Sequence, residues 1–382
     1  MPGIYIHIPF CRQACFYCNF HFSASKKNKP DFLSALKNEI ELSKDFFKEK
    51  TTSSEKIYLD TIYFGGGTPS ILSNTELMEI FNVLSRFYTF DDNTEITLEA
   101  NPDDLSKTRT KELFQSPVNR LSIGVQSFHE ADLNFMNRSH NKDQALQSII
   151  NSKQAGFKNI TVDLIYGTPG MTHKQWIENL NILHSLNIPH ISAYALTVEN
   201  NTALNVFINK GKLPNISEED SAQQFEILQK WMQENNYRHY EISNFGKDGF
   251  FSKHNISYWT GKKYLGLGPS AHSFNGEKRF WNISNTHSYI DSLKNGIISR
   301  ETEVLTKSQK INEYIMTSLR TMWGCDLNKI SSEFGNDIQE QIINSSRKFI
   351  NKGWMQKSNQ QLILTKTGKL FADGIAAELF FD

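Results

Sequence analysis

The sequence predicts an α/β fold: a partial, TIM-like (β/α)6 barrel followed by a small, mainly helical C-terminal module of winged-helix type. Three observations lead there. Short β-rich runs alternate with longer helical periodicities through the first two-thirds of the chain, the pattern of a parallel sheet or barrel. Six such βα steps can be counted, fewer than the eight of a closed barrel. From about Leu305 the pattern changes to helices, a short alternating stretch over Gly353–Leu364 and a last amphipathic helix.

In chain order, Ile4–Ile8 reads as a strand and Asp31–Phe47 as a helix carrying apolar Phe32, Leu33, Leu36, Ile40 and Leu42. Thr61–Phe64 is a strand running into Gly65-Gly66-Gly67-Thr68-Pro69. Asn74 stands as an N-cap for the helix Thr75–Tyr88. Glu95–Ala100, Arg120–Val125, Ile160–Tyr166 and His190–Leu196 are further strands. Ser106–Gln115, Asp143–Ala155, His173–Leu186 and Glu218–Asn235 are helices, the second of them ended by Gly156. Between Tyr237 and about Glu301 the pattern is irregular and aromatic-rich. The expected organisation is a core of residues 1–236, a connecting region 237–304 and a terminal module 305–382.

The chain has 382 residues and carries 41 Lys+Arg against 41 Asp+Glu, so its net charge is zero. That balance argues against a nucleic-acid partner, which usually leaves a basic excess. No stretch approaches the roughly 18 apolar residues of a membrane span, and residues 1–10 lack the features of a signal peptide. A reducing, cytoplasmic setting follows. There a tight cysteine group points to metal or redox chemistry rather than to disulfides. Three of the four cysteines, Cys11, Cys15 and Cys18, lie together directly after the first strand; Cys325 stands alone and reads as a small buried residue.

Three thiolates on one short loop can converge on a metal centre. Zinc would want a fourth ligand, which His7 or His21 could supply. A [4Fe–4S] cube suits three cysteines better if its fourth iron stays open to chelate a small molecule. Other notable residues also fall at strand ends, where barrel-like sheets bind ligands. They are the glycine turn Gly65–Gly67, Glu99, Gln126 and Asp163, with Arg138 on the loop after the fourth strand. Singly they could be a turn, a solvated carboxylate, a capping amide and a surface ion pair. Asp163 could accept hydrogen bonds from a ribose or from Arg138.

The stretch Tyr5-Ile-His-Ile-Pro-Phe-Cys-x3-Cys-Phe-Tyr-Cys18 resembles the radical S-adenosylmethionine (SAM) superfamily, and within it the oxygen-independent coproporphyrinogen III oxidase family. The resemblance extends through the C-terminal module. It implies that Cys11, Cys15 and Cys18 hold a [4Fe–4S] cluster whose open iron is chelated by the amino and carboxylate groups of SAM. It further implies SAM contacts from Gly66, Gly67, Thr68, Glu99, Gln126, Arg138 and Asp163, and from Tyr5, Tyr17 and Ala195.

Two branches of that family are in view. The oxidase branch carries a further cysteine two places after the third cluster cysteine, where this sequence has Phe20, and a longer N-terminal extension. The segment His254-Asn-Ile-Ser-Tyr258-Trp259 is instead similar to the motif of the heme-chaperone branch. That resemblance implies a third ligand, heme, with His254 as a candidate axial ligand and Tyr258 and Trp259 packing on the macrocycle. It also implies acceptor hemoproteins and an electron donor as partners. Peripheral contact with a membrane is compatible with such acceptors, although no basic amphipathic anchor helix is evident. The alternative is oxidative decarboxylation of coproporphyrinogen III.

Overall fold

The structure, a computed structural model, describes residues 1–48 and 56–381. Its centre is a twelve-stranded sheet. In chain order the strands are β1 (Gly3–Ile8), β2 (Thr61–Gly66), β3 (Glu95–Ala100), β4 (Arg120–Gln126), β5 (Asn159–Tyr166), β6 (His190–Ala195), β7 (Arg238–Glu241), β8 (Asn244–Gly246), β9 (Tyr264–Leu267), β10 (His272–Phe274), β11 (Lys278–Asn282) and β12 (Arg300–Val304). Across the sheet they run β12-β11-β10-β9-β1-β2-β3-β4-β5-β6-β8-β7. Strands β9 and β1 to β6 are parallel, and antiparallel strands finish both edges.

The six expected strands are β1 to β6. The stretch that looks irregular in sequence holds β7 to β12 and the helices Lys253–Trp259 and Thr286–Lys294, and it extends the sheet at both edges. Strands of three or four residues are too short to display a period-2 pattern. Two short helices, Glu130–Phe135 and Ala203–Asn209, escape the helical period for the same reason. The first helix is Lys29–Leu42, shorter than its apolar pattern suggests; past Ser43 the bonds tighten to the i−3 kind, with the Lys44 N–H on the Glu41 carbonyl and the Phe46 N–H on the Ser43 carbonyl. The helix Asn74–Phe87 is capped by Ser73 rather than by Asn74. The Ser73 hydroxyl accepts the Glu76 N–H and the Glu76 carboxylate accepts the Ser73 N–H, a reciprocal box that only Ser73 can form with a glutamate three places on.

Parallel strands usually bury both faces in apolar contacts. Here β1 to β6 alternate. Ile4, Ile6, Ile62, Phe64, Leu98, Ile123, Val162 and Ile191 join one apolar core with the helices that cover that face, through Leu36, Leu77, Ile149 and Trp176. The opposite face is polar. Register sets Tyr5 beside Tyr63, Glu99 beside Ser122, Gly124 beside Asp163 and Asp163 beside Ser192.

At the N-terminal ends of the strands this face is closed by a buried charge. Arg120 is 1% exposed. Its Nη2 donates to Thr161, its Nη1 reaches Thr97 Oγ1 at 3.5 Å, and its Nε lies 3.9 Å from Glu95 Oε2. The Glu95 carboxylate also accepts the backbone N–H groups of Lys253 and His254, each at 3.0 Å, and so holds the start of the helix Lys253–Trp259. His190 bridges the Thr161 and Tyr240 hydroxyls at 3.0 and 2.7 Å.

The C-terminal module has its own apolar core. Helices Lys307–Leu319, Leu327–Phe334 and Asn336–Asn351 pack with a three-stranded sheet of Cys325–Asp326, Gln361–Leu364 and Met355–Ser358, the winged-helix arrangement. Cys325 is buried within it, and burial pushes its thiol up to about 12. The module joins the β7–β8 edge, where Arg320 Nε meets Glu241 Oε1 at 3.1 Å and the Met322 N–H donates to the Tyr240 carbonyl at 3.0 Å. Among the described residues no helix is long and apolar enough to cross a membrane.

Arg120→Ala removes the cation that faces the buried Glu95 carboxylate and should cost about 3–5 kcal/mol of stability. Urea denaturation of the purified chain measures it; a loss under about 1 kcal/mol would show that the floor pair carries little of the fold.

Candidate functional site

The C-terminal ends of the parallel strands open into a cavity of about 650 Å³. The loop after β1 lines it with Cys11, Cys15, Tyr17 and Cys18. The turn after β2 adds Gly66, Gly67 and Thr68. Glu99, Gln126, Asp163 and Ala195 come from the ends of β3 to β6, and Arg138 from the loop after β4. Twelve of the residues singled out in the sequence therefore meet around one space.

The loops are fixed by backbone bonds. The Cys11 N–H donates to the Ser23 carbonyl at 3.1 Å, and the Phe16 N–H to Met136 at 3.1 Å. The glycine turn is tied to the cysteine loop, since the N–H groups of Gly67 and Thr68 donate to the carbonyls of Ile8 and Phe10 at 2.9 and 2.8 Å. The Thr68 hydroxyl points to Cys11 Sγ at 3.5 Å. Gly66 has φ +102°, and a Cβ there would lie 2.6 Å from the His7 ring, so no side chain fits.

The far wall is built around a bulge between Gly124 and Gln126. Gln126 has φ +69°, a strained backbone for a residue with a side chain, and its buried Oε1 has no partner. Arg138 donates through Nη2 to the Gly124 carbonyl at 2.7 Å and to Asn101 Oδ1 at 2.9 Å; its Nη1 meets Cys15 Sγ at 3.1 Å and the Tyr17 hydroxyl at 3.4 Å. Of the two partners the sequence offers Asp163, a ribose or Arg138, the structure shows no hydrogen bond to Arg138. Arg138 is held by Gly124, Asn101 and Cys15, and Asp163 accepts from the Ser122 hydroxyl at 3.2 Å.

Burial sets the electrostatics. It pushes the Cys11 thiol up and the Cys18 thiol up to about 11, so thiolates there need a metal to stabilise them. Burial also raises Glu99 to about 7, with Asp163 adding repulsion and the Tyr63 hydroxyl (2.8 Å) and the Gly66 N–H opposing. Asp163 rises to about 6 by burial, opposed by Ser192 and Ser122. Two carboxyls that resist ionisation suit a ligand that brings positive charge or hydroxyl donors.

Tyr5 and His254 are not on the cavity wall. Tyr5 lies against the Tyr63 ring at 6.1 Å between centroids, its hydroxyl 3.3 Å from His7 Nδ1. His254 is buried at the opposite end of the strands. Its Nδ1 is 2.7 Å from Thr61 Oγ1, its Nε2 is 2.8 Å from the Tyr258 hydroxyl, and its ring stacks on Tyr63 at 4.9 Å. Neither nitrogen is free for an iron. His7 and His21 also turn elsewhere: His7 Nε2 pairs with the His21 carbonyl at 2.8 Å and His21 Nε2 with Thr286 Oγ1 at 2.9 Å. Among the described residues no three His, Cys, Asp or Glu groups stand close enough to hold a single metal ion; a cube instead takes each thiolate at its own iron. Asn101, Ser122, Gly124 and Tyr194 line the cavity without having been singled out. The same-face register beside Glu99 and Asp163 is the signal that reaches Ser122 and Gly124.

Residues 5–183 match the radical SAM superfamily, and residues 305–371 match the HemN C-terminal domain. The fold is that of coproporphyrinogen III oxidase from Escherichia coli, a radical SAM enzyme, with a TM-score of 0.83 at 20% identity over 99% of this chain and 90% of that one. Fold and site therefore define a radical SAM protein. At the sequence level the chain is 34% identical to the heme chaperone HemW of Bacillus subtilis, over 98% of both chains. It is 34% identical to the HemW of Lactococcus lactis, over 99% of this chain and 97% of that one. The chain belongs to the HemW family. That family's superfamily implies a [4Fe–4S] cluster and SAM, and the residues present fit them: three thiols on one wall, an unpartnered amide oxygen at Gln126 and a turn at Gly66 open to close approach.

The raised Glu99 carboxyl stabilises the folded apoprotein fully below its ordinary value of 4.5, and that contribution disappears as pH rises to about 7. Glu99→Gln should therefore flatten the fall in stability across that interval, by roughly 1–3 kcal/mol. Denaturation midpoints of both proteins between pH 4.5 and 7.5 test this; parallel curves would mean Glu99 ionises normally.

Proposed function

We propose that the chain is a heme chaperone that holds a [4Fe–4S] cluster and SAM in the strand-end cavity and passes heme to acceptor hemoproteins. The observation that carries this reading is the end-to-end likeness to heme chaperones, 34% identity over 98% of both chains. Phe20 supports it too, because it stands where the oxidase branch has a further cysteine, and it leaves that cavity edge without a thiol.

Cys11, Cys15 and Cys18 would hold three irons and leave one for the amino and carboxylate groups of SAM. When bound, the cluster supplies one-electron chemistry at the sulfonium of SAM. This chain's own residues do the rest. Thr68 and Arg138 donate toward the sulfurs of Cys11 and Cys15, which stabilises thiolate character. Gly66, Gly67 and Thr68 let the main chain approach the amino-acid end of SAM. Glu99 faces an ammonium or hydroxyl, Gln126 offers its free amide oxygen, and Asp163 and Ala195 border the nucleoside side. Tyr17 closes the wall beside Arg138. Tyr5 acts from behind, through the Tyr63 ring that holds Glu99. His254 could meet heme iron only after releasing Thr61 and Tyr258. The acceptor proteins and the electron donor dock outside this cavity.

Anaerobic reconstitution followed by heme titration is the direct test. The expected outcome is heme binding with no protoporphyrinogen IX formed from coproporphyrinogen III; the reverse result would replace this reading with the oxidase one. Cys15→Ala should lose the iron–sulfur absorbance entirely, and a retained chromophore would contradict the assigned ligands. Gly124→Ala places a Cβ 3.0 Å from Gln126 Nε2 and 3.3 Å from Arg138 Nη2. It should weaken SAM binding about tenfold while the cluster persists, a change calorimetry can read.

A further inference from the structure

Beyond β6 the cofactor cavity continues over a sill of Ala195, Leu196 and Thr197, which border both it and a second space. That second space is an open cleft of about 1120 Å³ between the barrel and the C-terminal module. Tyr166, Ile208 and Phe225 form its barrel side, and Leu370 and Phe371 its module side. Phe371 is 45% exposed, a large aromatic surface left to solvent at the cleft.

The cleft also contains two cations of different standing. Arg320 is already matched, by Glu241 at 3.1 Å and Asp373 at 2.8 Å. Lys369 is not. Its Nζ donates to the His239 carbonyl at 3.3 Å, and among the described residues no carboxylate lies within ion-pair distance of it. Burial pulls its ammonium down to about 8, with Glu241 opposing at longer range. A half-buried ammonium without a counter-charge is unfavourable, and an entering anion relieves it. The space therefore asks for a ligand that is large, flat, apolar on its faces and anionic at one edge.

We propose that this cleft is the carrying site for heme, with the macrocycle against the exposed face of Phe371 and a propionate carboxylate on Lys369. The proposal rests on the heme-chaperone reading above and adds the place and the mode of holding. Among the described residues no His, Cys or Met lines the cleft, and its one tyrosine, Tyr166, is buried at 7% exposure. The macrocycle is thus gripped by its faces and carboxylates and not through its iron, which leaves the iron's axial positions open to an acceptor's ligands.

The test uses the full chain, anaerobically reconstituted with cluster and SAM, and titrates heme and iron-free protoporphyrin IX in parallel by absorbance and fluorescence quenching. Both should bind within about threefold of each other. Lys369→Gln should weaken both about tenfold or more, as expected for losing a charge-assisted contact, and Lys369→Arg should restore most of the affinity. Thermal unfolding and cluster absorbance control for folding. Equal heme binding by wild type and Lys369→Gln would overturn the cleft assignment alone. So would heme binding that is lost in His254→Ala and absent for the iron-free porphyrin, since that places the macrocycle on an iron ligand at the helix Lys253–Trp259. A wild-type chain that binds neither porphyrin removes the heme-chaperone reading itself, and the cleft assignment with it.

Discussion

The guanidinium of Arg120, set against Glu95 at the floor of the strands, is the interaction on which the sheet's polar face depends. A charged side chain in a parallel strand is unfavourable unless its neighbours supply partners. Thr97, Thr161 and Glu95 supply them from the two flanking strands, and Glu95 in turn anchors the helix Lys253–Trp259. The floor is therefore filled, with the Arg120 Nη groups hydrogen-bonded to the threonines and its Nε facing Glu95 as an ion pair. The same polar face continues upward through Ser122, Asp163 and Ser192 and ends in open space at the top. One face of one sheet is a closed polar core at its lower end and a ligand cavity at its upper end.

That division explains what the sequence discloses. The cysteine loop, the glycine turn and the strand-end residues Glu99, Gln126 and Asp163 are legible because each follows directly from a local element whose end is visible as a pattern break. All of them reach the cavity. The partners of those residues are less legible. Arg138 and Asp163 both lie near the cavity, yet Arg138 is drawn to a backbone carbonyl exposed by the bulge at Gly124, a feature with no sequence period. The motif around His254 shows the same limit. Its residues stand out, but the direction of the imidazole is set by Thr61, 193 positions away in the chain. The strands β7 to β12 stay hidden because most are short and gain their place only by adding to edges that β1 and β6 already present.

The two spaces at the top of the sheet differ in what they favour. The cofactor cavity has buried carboxyls and thiols that prefer to stay protonated, so it accepts positive charge and soft metal. The cleft beyond Ala195–Thr197 has aromatic walls and a cation without a counter-ion, so it accepts an apolar anion. Opposite preferences on either side of a shared sill would keep the two proposed ligands from exchanging places. The C-terminal module matters to the second space alone, since Lys369 and Phe371 belong to it.

The chain crosses from one edge of the sheet to the other between β8 and β9, by way of the helix that sits on Glu95. Tyr264–Leu267 then pairs with Gly3–Ile6. During synthesis β1 consequently keeps an unpaired edge, directly beside the cysteine loop, until about 260 further residues have been made. The loop that bears Cys11, Cys15 and Cys18 therefore gains the second flanking strand of β1 only late in synthesis, after the floor helix has been made.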